Sequence, residues 1–200
     1  MTAPERSPER DAAIEAMLPL VPVSGWTMRS LMDAAGPDAD LLFPGGAPDM
    51  IEAYIDWADR QMEAGAAALD LSSMRLPDRV RAVVALRFEQ NRPYKDAVRR
   101  AFGILSTPGN AALAARSAAR TVDAIWHAAG DVSADFSWYT KRALLAAVYG
   151  STLLYWLRDD SFDDERTLEF LDRRLAGIGR IGKARRRVEG LFRRRSAEAA

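Results

Sequence analysis

Cysteine is absent from this 200-residue chain, and histidine occurs once. Without thiols there can be no disulfide, no iron–sulfur cluster and no thiolate zinc site, and nothing points to an oxidising compartment. One histidine, His127, leaves little from which to assemble acid–base or metal chemistry. A four-helix di-iron centre needs Glu-x-x-His on two helices, and the sequence has no such pair. Gly-x-Gly-x-x-Gly, a phosphate-cradling loop and Gly-x-Ser-x-Gly are missing as well. A catalytic role is therefore disfavoured, with no cofactor and no metal expected. His127, beside Trp126, reads as a partly buried structural residue, and a hydrolase would have to be built without a second histidine.

Long apolar runs are also lacking. The uncharged, strongly apolar stretch at residues 143–157 has fifteen residues, short of the roughly twenty that a membrane-spanning helix requires. It reads as a buried central helix, in which Gly150, Ser151 and Thr152 suit close packing or a cavity wall, packing being the simpler account. Residues 1–11 are polar and mixed in charge, without the apolar core of a secretory signal or the acid-poor character of an organelle presequence. A cytoplasmic location is expected.

Net charge is zero, with 28 basic and 28 acidic residues, yet the average conceals an asymmetry. Between Arg180 and Arg195 lie eight basic residues against Glu189 alone, a net of +7, so the rest of the chain carries −7. An acidic body with a basic end suggests a polyanionic partner for that end, membrane headgroups or nucleic acid.

What is present is helical periodicity almost throughout, with no convincing alternation of the kind a strand requires. The class is all-α. A helix is predicted over 8–21, with Ala13, Ile14, Met17, Leu18 and Val21 on one stripe and Pro22 as its terminator. A short helix follows behind Thr27 as N-cap and carries Leu31, Met32 and Ala35 up to Gly36-Pro37. Beyond Phe43-Pro44-Gly45-Gly46, Pro48 opens a long helix with Ile51, Ile55, Ala58 and Met62. Pro77 and Pro93 open two more, and Pro108-Gly109-Asn110 punctuates the end of the second. Helices are expected over 111–129, 135–157, 163–178 and 181–195, with an acidic loop, Asp159 to Asp164, before the third of these.

The opening pattern, helix, Gly25-Trp26-Thr27, short helix, Ala34-Ala35-Gly36, third short helix and long fourth helix, resembles the DNA-binding end of the tetracycline-repressor family. In those regulators the third helix enters the major groove and needs basic or amide side chains. Here the corresponding stretch, 36–43, offers Asp38 and Asp40 and no cation. Carboxylates facing phosphates are repelled, so no specific DNA binding is expected; a ligand-responsive regulator of this type is the alternative reading.

The segment TVDAIWHAAGDVSADFSWYTKRALLAAVYGSTLLY, residues 121–155, is similar to the ninth Coq protein family, lipid-binding accessory proteins of ubiquinone synthesis with a repressor-like fold. Leu42-Phe43-Pro44-Gly45-Gly46, Asp56-Trp57-Ala58-Asp59 and Thr107-Pro108-Gly109-Asn110 extend the resemblance. It implies a tetracycline-repressor-like bundle of about nine to ten helices, ending in a C-terminal amphipathic helix. It also implies a non-enzymatic protein that binds isoprenoid quinone or phospholipid in a cavity, presents quinone intermediates to a pathway hydroxylase and forms a homodimer. The family's partner-binding pattern falls on Asp135, Phe136, Trp138, Tyr139 and Arg142, residue types that suit an interface; the alternative is that Asp135 caps a helix and the aromatics are core.

A lipid needs an apolar wall, and Leu144, Leu145, Val148, Tyr149 and Leu153, facing Trp126 and Phe102, are the candidates, though the same residues would also make a plain core. If residues 181–195 are helical, Ile181, Val188 and Leu191 share a stripe with Phe192 beside it, while Lys183, Arg185, Arg186 and Arg187 cover the rest. That is the outline of a helix lying on the inner face of a membrane; RNA contact or a solvated tail are its alternatives. Three segments follow: 1–70 helix-turn-helix-like, 71–178 lipid-binding core, and 179–200 basic helix and tail.

Overall fold

The protein was analysed as a computed structural model that describes residues 4–131 and 137–177, with the side chains of Ser137 and Trp138 outside the description. The described residues form nine α-helices and no strand, the all-α class that the periodicity predicts. They are α1 (Pro8–Met17), α2 (Val21–Ser24), α3 (Met28–Ala35), α4 (Ala47–Ala67), α5 (Leu76–Asn91), α6 (Lys95–Leu105), α7 (Ala111–Ala128), α8 (Ser137–Trp156) and α9 (165–177).

Local chemistry sets most boundaries. Ser7 caps α1, its hydroxyl accepting from the Arg10 N–H at 3.2 Å, and Thr27 caps α3 by accepting from Ser30 N–H at 3.1 Å. Two expectations are corrected here. Pro22 does not terminate a helix over 8–21: the first helix stops at Met17, and Pro22 lies in the first turn of α2, where its missing N–H costs nothing. The third short helix is the 3-10 segment Pro37–Leu42, a tighter coil that suits six residues hemmed between Gly36, at φ 101°, and buried Phe43.

Two apolar clusters lie end to end. The first gathers Ile14, Met17, Leu31, Phe43, Met50 and Ile51. The second gathers Met62, Val83, Phe88, Ile125, Trp156 and Leu171. Helix α4 serves both, with Met50 and Ile51 in one and Met62 and Ala66 in the other, and it packs along α7. Trp26 ties the N-terminal helices to α6 through Nε1, which donates to the Ala97 carbonyl at 3.0 Å.

The acidic loop is an anchor. Asp164, at φ 57°, accepts from Arg92 Nε at 2.8 Å and Lys95 Nζ at 3.0 Å, joining the start of α9 to α5 and α6. Asp159 accepts from the N–H groups of Ser161 and Thr167 at 2.9 and 2.8 Å and from the Thr167 hydroxyl at 2.6 Å. Burial pushes the Asp159 carboxyl up, but these bonds outweigh it and hold the group at about 2. A folded-state value below the ordinary one contributes stability above about pH 4 that is lost as pH falls through about 2. Asp159→Ala should therefore lower stability by about 1–2 kcal/mol at pH 7, with the gap between variant and wild type closing in thermal melts as pH approaches 2. A gap independent of pH would contradict this account.

Candidate functional site: an apolar cavity with a buried ion pair

Helix α6 ends at Leu105 and the chain turns back through a tight corner in which Asn110 Nδ2 donates to the Ile104 carbonyl and Thr107 Oγ1, each at 3.0 Å. Beyond that corner α6 and α7 lie with α4, α5 and α8 around a cavity of about 420 Å³, within the range of small-molecule sites. Val98, Ala101, Leu105, Val122, Leu153 and Trp156 give it an apolar wall. Phe102 and Leu154, 39% and 48% exposed, mark where it meets solvent. Phe88 lies against both Tyr149 (ring centroids 5.8 Å apart, stacked) and Trp156 (5.3 Å, tilted).

The inner end is polar. Arg87 on α5 is 5% exposed and pairs with buried Asp59 of α4, Nη2 to Oδ1 at 3.0 Å. The second carboxylate oxygen of Asp59 accepts from the Thr121 hydroxyl of α7 at 3.0 Å. Tyr54 donates through its hydroxyl to Asn91 Oδ1, and Asn91 Nδ2 donates to the Arg87 carbonyl at 2.7 Å. Burial pushes the Tyr54 and Tyr149 phenols up, against the opposing field of Arg87, so both are donors rather than bases near neutrality. Burial also pushes the Asp59 carboxyl up, to about 6, with Arg87 and Thr121 opposing it.

Of the candidate cavity residues, the structure brings Phe102, Tyr149 and Leu153 to the wall. The others lie elsewhere. Leu145 and Val148 are buried in the second core cluster with Val122 and Ile125, Trp126 packs against that cluster, and half-buried Leu144 is not part of the wall. Helix α8 carries two adjacent stripes, one through Leu145, Val148 and Thr152 facing the core, the other through Ala146, Tyr149, Gly150 and Leu153 facing the cavity, with buried Trp156 belonging to both. With no charge between 143 and 157, nothing in the sequence separates them. Sequence reasoning missed Arg87, Asp59 and Asn91. The signal was available: Arg87 and Asn91 continue the stripe of Val80, Val83 and Val84 at helical spacing, as Asp59 continues that of Ile51, Ile55 and Met62.

Of the candidate interface, Tyr139 is 74% exposed and Arg142 pairs with Asp123. Asp135, Phe136 and the Trp138 side chain lie outside the described residues, as do the candidate membrane contacts Ile181, Lys183, Arg185, Arg186, Arg187, Val188, Leu191 and Phe192. His127 is not partly buried: its side chain is 85% exposed and meets Glu63 at 3.1 Å on the surface. Asp38 and Asp40 are both exposed on the 3-10 segment.

A family model described as COQ9 matches residues 111–182, which takes in α7, α8 and α9. Over 188 residues, 88% of this chain, the sequence is 30% identical to the ubiquinone biosynthesis protein COQ9, mitochondrial, of Bos taurus and of Homo sapiens. The chain belongs to the COQ9 family. It spans 59% of the length of those two curated relatives, and it is 34% identical over 119 residues to a probable ubiquinone biosynthesis protein coq9 of Dictyostelium discoideum. This COQ9 family member also shares the fold of a TetR transcriptional regulator from Nitrosomonas europaea: TM-score 0.69 and 20% identity, covering 85% of this chain and 97% of that one. In this chain no described helix is long and apolar enough to cross a membrane.

Proposed function

We propose that the chain is a non-enzymatic, lipid-binding accessory protein of ubiquinone biosynthesis that works as a homodimer at the inner face of a membrane. It would hold an isoprenoid quinone or phospholipid, with no other cofactor, and present quinone intermediates to a hydroxylase of the pathway. The observation that carries this reading is the cavity: apolar along its wall, open at Phe102 and Leu154, and closed by hydrogen-bonding groups at its inner end. That profile matches a molecule with a long apolar chain and a small polar head. The names of the relatives supply the pathway. Exposed Tyr139 supports a docking surface for the hydroxylase near the start of α8, and the net +7 between Arg180 and Arg195 supports attraction to an anionic leaflet. A DNA-binding regulator is disfavoured by Asp38 and Asp40, whose exposed carboxylates stand where a repressor of this fold carries its reading helix.

The test is mass spectrometry of lipids extracted from the purified full chain and from a chain truncated before Arg180. Co-purifying isoprenoid quinone or phospholipid, reduced by the truncation, is the expected result. A protein that arrives empty and ignores liposomes would overturn the reading.

A further inference from the structure

The ion pair at the inner end of the cavity does more than a packed core requires. Burying a guanidinium is costly even when it is paired, and an unmade hydrogen bond adds to that cost. Arg87 bears both: it lines the cavity, it is 5% exposed, and Nη1 has no hydrogen-bond partner. Asp59 Oδ2 accepts from Thr121, and Asn91 is held by Tyr54 and the Arg87 carbonyl. Asp59 Oδ1 lies 3.0 Å from Arg87 Nη2 but has no hydrogen bond of its own. A donor, Arg87 Nη1, and an acceptor, Asp59 Oδ1, are therefore left over together at the polar end of a site that is otherwise apolar.

The charge balance narrows what this donor can take. Arg87 and Asp59 together are neutral, so a phosphodiester brought to Nη1 would leave a negative charge buried without compensation. An uncharged acceptor incurs no such cost. The stacked rings of Phe88 and Tyr149 also line the cavity, and they offer a flat aromatic surface to a flat head.

We propose that Arg87, positioned by Asp59, donates a hydrogen bond from Nη1 to an uncharged carbonyl or phenol oxygen on the aromatic head of a prenylated ligand, whose chain runs out past Phe102 and Leu154. This rests on the reading of the cavity as a lipid site and selects within it: a prenylated quinone or phenol over a phospholipid.

The experiment compares three probes on the full chain in detergent: a benzoquinone bearing three isoprene units, the ring-free isoprenoid hydrocarbon of the same length, and phosphatidylglycerol. A hydrogen bond from a charged donor should favour the quinone over the hydrocarbon by roughly 10–100-fold. The double variant Arg87→Met/Asp59→Leu removes both charges together, so no unpaired ion is left behind. It should bind the hydrocarbon at least as tightly as the wild type, since the inner end becomes apolar, with the preference for the quinone reduced to within about threefold. A preference that survives in the double variant overturns the proposal, as does an equal loss of phosphatidylglycerol binding. A wild type that binds quinone and hydrocarbon equally overturns it while leaving the lipid reading standing; binding neither removes both. Infrared spectroscopy of a carbonyl-labelled quinone on the wild type gives a readout that needs no variant: a carbonyl stretch lowered from its value in the detergent is expected, and an unshifted band overturns the assignment.

Discussion

Arg87→Leu should lower stability by about 3–5 kcal/mol at neutral pH. The loss of the cation is the lesser part of the effect; the greater part is the Asp59 carboxylate, left 6% exposed with only the Thr121 hydroxyl to serve it. The sign of the pH dependence follows from the same group. Burial already raises Asp59 to about 6 in the folded wild type. A folded-state value above the unfolded one contributes stability that is present below about pH 4 and lost as pH rises through about 6. Removing Arg87 takes away the charge that opposed burial, so the carboxyl rises further and the variant's stability falls more steeply with pH. Urea denaturation at pH 5 and pH 7.5 should show the difference from wild type shrinking at the lower pH. The double variant Arg87→Met/Asp59→Leu should lie within about 1 kcal/mol of wild type at both. If the single variant is as stable as wild type, or its deficit is the same at both pH values, the pair is not the buried, coupled unit described.

The fold was largely legible because its determinants are local. Apolar stripes of period 3.6, the caps Ser7 and Thr27 and the prolines at helix starts act within a few residues, and they place α3 to α7 close to where they stand. The break between α1 and α2 was not legible because Pro22 reads equally as a stop or a start, and only the packing of Met17, Leu18 and Val21 against the first core decides.

The site was legible only in part, for a different reason. Whether Tyr149 faces a cavity and Val148 a core depends on the rotation of α8 against α7, which fifteen uncharged residues do not encode. Arg87 and Asp59 lie on different helices, 28 positions apart, and their pairing is a tertiary fact. The Asp56-Trp57-Ala58-Asp59 string illustrates the division. Asp56, as buried as Asp59, pairs with the more exposed Arg6 and Arg60 at 2.6–3.0 Å, while Asp59 joins the cavity's ion pair.

Gly150 decides between a packed helix and a ligand seat, and a pair of substitutions there should separate the two. It lies within α8 and lines the cavity, and a Cβ built on it meets nothing within 4 Å. Were the glycine there to let two helices approach, alanine would collide and destabilise. Open space predicts the reverse: Gly150→Ala should stabilise by about 0.5–1 kcal/mol, since the helix loses the entropic cost of glycine and nothing is displaced. Gly150→Trp then uses the same space against the ligand. An indole at this position adds apolar bulk to the cavity that Phe88, Phe102 and Leu153 also line, so the fold should hold with a melting temperature at or above that of wild type. Binding of an isoprenoid probe, followed with a radiolabelled probe or by co-purification, should fall by at least about tenfold, on the order of 1.4 kcal/mol or more. A Gly150→Trp protein that melts well below wild type would show the space to be a packing gap that closes in solution. One that folds and still takes up the probe unchanged would move the ligand seat elsewhere on the molecule.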